Sequence, residues 1–144
     1  VTCRFGTIFG TSIGMRFHTA VNKFCWQAVM GRPLTVWKTA IDQKRPYLGV
    51  NDAVRAIKYI IVKDLFDGET YNVVSSNNTV REIVESIKKF VPDIEVKLVD
   101  SEIMNQLSYN VLNEKFISTG FQCSDSIEEG IKDEISLLSI NKIY

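Results

Sequence analysis

Arg45 stands at the junction of a polar loop and the apolar run PYLGV, where a guanidinium can fork onto two phosphate oxygens at a strand edge while the rigid Pro46 fixes the exit of the chain. Upstream, Thr35 and Trp37 lie two residues apart in the segment LTVW. Extended backbone turns both to one side of a neighbouring strand, and an indole beside a hydroxyl can hold a flat base. The alternative is that Arg45 pairs with Asp42 or Asp52 and Trp37 belongs to the core. Residue types alone leave both open. The same stretch, Thr35 to Ile57, also carries Lys38, Lys44 and Arg55, although the 144-residue chain has no net charge. Charge is segregated along it. Residues 1–63 hold ten Lys/Arg against Asp42 and Asp52, a net +8, and residues 64–144 hold seven against fifteen, a net −8. A front half this cationic attracts phosphate on a small molecule or a nucleic acid. Mutual neutralisation of the two halves in the fold is the competing account.

Other chemistries find less support. Gly6, Gly10 and Gly14 follow a strand and precede a helix, but their even spacing is not the GxGxxG interval that brings a helix N-terminus against a pyrophosphate. His18, the single histidine, has no Ser or Cys motif beside it and reads as a surface or capping residue. Neither a P-loop, an HExxH pair nor a G-x-S-x-G elbow occurs. Tyr47, Tyr59, Tyr71 and Tyr109 are read as lacking a lysine four residues downstream, the arrangement a proton-relay dehydrogenase uses to lower a phenol's pKa. The acidic run Glu128, Glu129, Asp133 and Glu134 reads as a solvated helix face. No catalytic residue and no metal ligand set is therefore expected in this chain.

The elements that must position Arg45, Thr35 and Trp37 follow from periodicity. VTCRFGTIF, Val1 to Phe9, reads as a buried strand leading to a turn at Gly10 to Gly14. Val21, Phe24, Cys25, Ala28 and Val29 recur at helical spacing until Gly31 and Pro33. Short strands are expected at Leu34 to Trp37 and at Tyr47 to Val50, joined by the polar loop Thr39 to Lys44. Asp52 is placed as the N-cap of a helix whose buried stripe is Val54, Ile57, Ile60 and Ile61. A strand at Thr70 to Val74 and a polar tract, Ser75 to Asn78, lead to the T-x-x-E capping box of Thr79 and Glu82. Val80, Ile83, Val84, Ile87 and Val91 then form one helical face ended by Pro92. Glu95 to Val99 is a strand, Asn113 to Thr119 a short helix stopped by Gly120, and Ser126-x-x-Glu129 opens a helix carrying Ile127, Ile131, Ile135 and Leu138. Alternating strands and helices of this kind make an α/β layer fold.

With 45% hydrophobic and 24% charged residues, the chain reads as one globular domain over residues 1–144. Its apolar runs are far shorter than the roughly 20 residues a membrane span needs. Cys3, Cys25 and Cys123 form no CxxC pair, so reduced thiols and a cytoplasmic setting are expected.

The order of motifs adds a resemblance. RFGTIFG at Arg4 to Gly10, GRPLTVW at Gly31 to Trp37, RPYLGVNDAVRA at Arg45 to Ala56, GETYNV at Gly68 to Val73 and TVRE at Thr79 to Glu82 resemble the C-terminal portion of the NAD-dependent epimerase/dehydratase family. These are extended short-chain dehydrogenases/reductases that act largely on nucleotide sugars, with UDP-glucose epimerase-like enzymes among them. The resemblance implies an α/β fold of a few short strands packed with helices, the C-terminal part of a Rossmann-like enzyme. The dinucleotide-binding half, with its glycine fingerprint and Tyr-x-x-x-Lys pair, is the expected N-terminal partner and is absent from this sequence. By that similarity Phe5 and Gly6 would sit beside the nicotinamide of NAD, while Thr7, Thr35, Trp37 and Arg45 would line the site of a nucleotide-diphosphate sugar. Thr7 stands where relatives often carry Asn. No counterpart of a second substrate arginine occurs between Asp100 and Lys115, where Asn105 and Tyr109 offer an amide and a phenol better suited to sugar hydroxyls. The implied function is the substrate-binding part of an NAD-dependent nucleotide-sugar epimerase or dehydratase, inactive alone, whose relatives often form homodimers through the other half. A non-catalytic nucleotide-sugar-binding or interaction module of the same descent is the alternative, and neither nucleic acid nor membrane is an expected partner.

Overall fold

The computed structural model describes residues 1–100 and 108–140. The amino-terminal segment is not one strand. It forms β1 (Thr2–Phe5), parallel to β5 (Thr70–Val73), and β2 (Thr7–Phe9), parallel to β4 (Lys44–Gly49). The chain changes partner at Gly6, whose N–H donates to the Val73 carbonyl at 3.1 Å while a Cβ there would crowd the Pro46 carbonyl and the Tyr47 backbone at 3.1 Å. Glycine is needed at so close an approach of two backbones. On its other edge β4 pairs antiparallel with β6 (Ser76–Thr79). The tract Ser75 to Asn78, expected to be a loop for its polar side chains, is therefore largely strand, because pairing with β4 outweighs its weak intrinsic preference. A third small sheet joins β3 (Leu34–Trp37) to β7 (Val96–Val99) in parallel. The strand of Thr35 and Trp37 thus does not neighbour that of Arg45 within a sheet.

Helices α1 (Ala20–Val29), α3 (Val80–Lys88) and α5 (Ile127–Ile140) pack on one another and bury Phe24, Leu34, Val36, Ile83, Ile87 and Ile131. The α3 capping box forms as its sequence requires, with Glu82 N–H donating to Thr79 Oγ1 and Thr79 N–H donating to the Glu82 carboxylate. A second core lies beneath α2 (Val50–Val62), where Leu48, Ala53, Ala56, Ile60 and Val73 meet Phe116 of the short α4 (Glu114–Ile117) and Phe121. The buried stripe of α2 is thus Ala53, Ala56 and Ile60. Val54, Ile57 and Ile61, expected inside, are exposed, as are Val62 and Phe66 beyond them. The helix carries two apolar faces, and spacing cannot say which one the small alanines will seat on the sheet.

Asp52 is not the cap of α2 either. The cap is Gly49, three residues earlier, and Asp52 lies in the first turn of the helix, completely buried. Its carboxylate accepts from the N–H groups of Ser124 (3.0 Å) and Asp125 (2.9 Å), from the Ser75 hydroxyl (2.8 Å) and from Arg55 Nη1 (2.6 Å). Asp125 replies by accepting the Asp52 N–H at 2.9 Å, and its carboxylate fills the space a side chain at Gly49 would need. The N-terminus of α2 is therefore served by a carboxylate far away in sequence. Burial alone would raise the pKa of Asp52. The donated hydrogen bonds and the Arg55 charge outweigh it and hold the carboxyl below its ordinary range.

Glu134, counted above with a solvated face, is also fully buried. It accepts the Gly10 N–H at 2.7 Å through Oε1, Oε2 has no hydrogen-bond partner among the described residues, and the weakly donating Cys25 thiol lies by the carboxyl group. Burial dominates here and pushes the carboxyl up to about 7.

These two carboxylates give opposite pH responses. Asp52→Ala strands two buried N–H groups and Arg55 and should cost about 3–5 kcal/mol in urea unfolding at pH 7. The stabilisation from Asp52 is present above an unfolded-state pKa of about 3.9 and fades as pH falls through the lower folded value. Glu134 holds its proton more tightly folded than unfolded, so stability declines as pH rises from about 4.5 to 7 and is level above. Glu134→Gln should therefore gain about 2–3 kcal/mol at pH 8 and nothing at pH 4.5, read from the same melts.

Candidate functional site

Although β3 and β4 belong to different sheets, the packing of α1 brings their ends together around a cavity of about 310 Å³ lined by Thr7, Thr35, Trp37 and Arg45, with Tyr47 and Lys23 also in its wall. Trp37 keeps 40% of its surface exposed and is not sealed in the core. The carboxylates that might have claimed Arg45 are engaged elsewhere. Asp42 takes a bidentate contact from Arg81 at 2.7 and 3.0 Å, and Asp52 is bound as described. Arg45 itself is half-buried, donates to the Lys44 carbonyl and to Gln43 Oε1 at 2.9 Å each, and lies 5.0 Å over the Tyr109 ring. Such contacts fix the plane of the guanidinium at the cavity wall, which a lysine could not reproduce. Tyr47, from the same strand, is buried, which pushes its phenol up to about 12. It keeps its proton at neutral pH, so it is part of the wall and not a phenolate base.

The other expected site residues fall elsewhere. Phe5, Gly6 and Tyr109 line a separate groove of about 370 Å³ with Arg4, Pro46 and Asn72, so adjacent residues Gly6 and Thr7 serve two different concavities. Asn105 lies outside the described residues. His18 is exposed on the cavity rim, and Thr19 rather than His18 occupies the N-cap position of α1. Another concavity, of about 260 Å³ near Gly10 and Gly49, sets Asp125, Glu129 and Asp133 against Lys132, a net negative wall that disfavours phosphate. Of the cations flagged beside Arg45, Lys38 pairs with Asp100 at 3.0 Å and Arg55 with Asp52. Among the described residues no cluster of His, Cys, Asp or Glu could hold a metal, and no helix is long and apolar enough to cross a membrane.

Comparison with known proteins assigns this geometry to a fold. No protein-family model matches the chain. The chloroplast UDP-sulfoquinovose synthase of Spinacia oleracea is 35% identical over 75 residues, covering 51% of this chain and 15% of that enzyme. The Thermus thermophilus UDP-glucose 4-epimerase, solved in complex with NAD, aligns with a TM-score of 0.77 at 22% identity over 94% of this chain and 45% of its own. A mutant Bacillus cereus UDP-glucuronic acid 4-epimerase, in complex with UDP-4-deoxy-4-fluoro-glucuronic acid and NAD, gives 0.82 at 18% identity over 99% and 45%. The chain has the fold of the C-terminal part of the NAD-dependent epimerases and dehydratases. It spans under half the length of each of these solved epimerase chains.

Two features of this epimerase/dehydratase fold escaped the sequence reading. Asn22 sits on the core face of α1, buried, with its Oδ1 unpartnered among the described residues, in the wall of a concavity of about 480 Å³ that shares Thr7 and His18 with the main cavity. Its signal was a polar residue inside the apolar stripe Val21 to Val29. Tyr59 and Lys63 do have the Tyr-x-x-x-Lys spacing that the reading denied the chain. They lie on and just after α2, where the Tyr59 hydroxyl donates to the Thr119 carbonyl and the ring packs on Phe116 and Phe121, so this pair is structural.

Proposed function

We infer that this chain is the substrate-binding part of an NAD-dependent enzyme that modifies nucleotide-diphosphate sugars by epimerisation or dehydration. The observation that carries the reading is the single cavity uniting the Arg45 guanidinium with Trp37, Thr35 and Thr7. A flat base lies against the indole, Arg45 forks onto the diphosphate, and Thr7 with the buried Asn22 amide meets the sugar end. Support comes from the solved neighbours, whose complexes contain NAD and, in one, a UDP-sugar analogue.

The adjoining groove fits the nicotinamide end of the dinucleotide. Phe5 offers a 38% exposed ring there, and Gly6 leaves the floor free of a side chain. Bound NAD would supply hydride transfer to and from a sugar carbon. The chain's own residues orient the substrate so that the reacting carbon faces that groove and exclude water around it. The dinucleotide-binding half docks where this chain is left uncovered: on the outer edge of β1, which has no strand partner among the described residues, and on Val54, Ile57, Ile61 and Val62 of α2. Burying each of those side chains is worth about 1.5–3 kcal/mol, so the face favours a covering partner.

Calorimetry of the 144-residue chain with UDP-glucose tests the reading. Binding is expected without NAD. Arg45→Ala should weaken it by about 10- to 100-fold and Arg45→Lys by less, since a bidentate charged contact is lost in the first and only its geometry in the second. Trp37→Ala should remove the ligand-induced change in tryptophan emission. Absence of binding by the unmodified chain, or indifference to Arg45→Ala, overturns the assignment.

A further inference from the structure

Gln27 is an amide on the core-facing side of α1, buried beside Phe24, Cys25 and Ala28, where an aliphatic side chain would be the ordinary choice. Burying an amide is costly unless its groups are bonded. Both bonds go to one residue. Thr35 N–H donates to Gln27 Oε1 at 3.3 Å, and Gln27 Nε2 donates to Thr35 Oγ1 at 3.1 Å. Their chemistry admits a single orientation. A backbone N–H can only donate, so the amide atom it meets is the oxygen, and the NH2 group is then left to face the hydroxyl. A threonine hydroxyl by itself can present either its proton or a lone pair to a ligand. Here one lone pair is taken by Nε2, and the proton of Oγ1 has no acceptor among the described residues, while Thr35 lines the cavity.

We propose that Gln27 is a positioning residue that sets the hydrogen-bonding polarity of the nucleotide cavity, holding the Thr35 hydroxyl as a donor toward a carbonyl oxygen on the edge of the base. The inference rests on the nucleotide reading of the cavity given above. It adds a specificity element that never touches the ligand. Because the donor is set before binding, its orientation costs nothing when the base arrives. A ring that presented an N–H or NH2 group at this point would leave the Thr35 proton opposed by another donor, which penalises such a ligand by negative selection as well as by the lost bond.

Reversing the polarity without changing the shape tests this. In Gln27→Glu the carboxylate accepts both the N–H and the hydroxyl proton of Thr35, so the cavity meets lone pairs where it met a donor. With UDP as the probe and calorimetry as the readout, Thr35→Val and Gln27→Glu should each weaken binding by roughly five- to tenfold. The double variant should be no weaker than either single one, and Thr35→Ser should stay within about twofold of the unmodified chain because the hydroxyl is kept. Thermal melts establish that each variant is folded. Should Gln27→Glu not fold, Gln27→Leu serves the same cycle, since freeing the hydroxyl should shrink the cost of Thr35→Val. If UDP binds the unmodified chain and Gln27→Glu binds it equally well, or if the costs of the two changes simply multiply, the role given to Gln27 is wrong and the nucleotide reading stands. If the unmodified chain does not bind UDP, the nucleotide reading is wrong and this inference falls with it.

Discussion

The carboxylate of Asp52 is the interaction on which most of the architecture turns. One buried side chain ties the first turn of α2 to the Ser75 corner between β5 and β6 and to the Ser124–Asp125 backbone that feeds α5. Asp125 then closes the circuit by accepting the Asp52 N–H at the helix start. A buried anion survives only when its lone pairs are filled, and here two main-chain donors, a hydroxyl and a guanidinium fill them. The two hydrophobic clusters are thus held in register by a polar knot where α2 leaves β4, the strand that also carries Arg45 and Tyr47 to the cavity.

That knot also explains part of the charge pattern. Arg55 is a structural counter-ion of Asp52 with further bonds to Ser124 and the Gln122 carbonyl, and Lys38 is paired with Asp100 at the end of β7. The excess of cations in the front half is therefore not one uniform electrostatic field. Some of it is spent on holding the fold, and Arg45, set in a cavity wall by Gln43 and the Lys44 carbonyl, is the member whose placement suits a phosphate ligand.

The helices and most strands were legible because their signals are local: the Thr79–Glu82 box, the stop at Gly120, the stripe of Ile83, Val84 and Ile87. What sequence could not reveal depends on partners distant in the chain. β6 is strand because β4 lies beside it, although Ser76, Asn77 and Asn78 favour turns. Glu134 is buried because Gly10 arrives to meet it, yet it stands among surface acids in the sequence. On α2 two apolar stripes compete, and the small residues Ala53 and Ala56 win the sheet because they allow close approach. At the site, residue types pointed to Thr35, Trp37 and Arg45, and the structure gathers them with Thr7 into one cavity. Phe5, Gly6 and Tyr109 stand across the strand in another, a division no linear spacing encodes.

The change of partner at Gly6 gives that division a geometric meaning. Phe5 belongs to one sheet and Thr7 to another, so a single residue without a side chain separates the two concavities proposed for dinucleotide and sugar nucleotide. On that proposal, two ligands bound on either side of this peptide would be separated by a distance set mainly by the backbone and little by side-chain rotamers. Either wall, Thr7 on one side or Phe5 on the other, could then change while the span between the two proposed sites stayed fixed by the backbone.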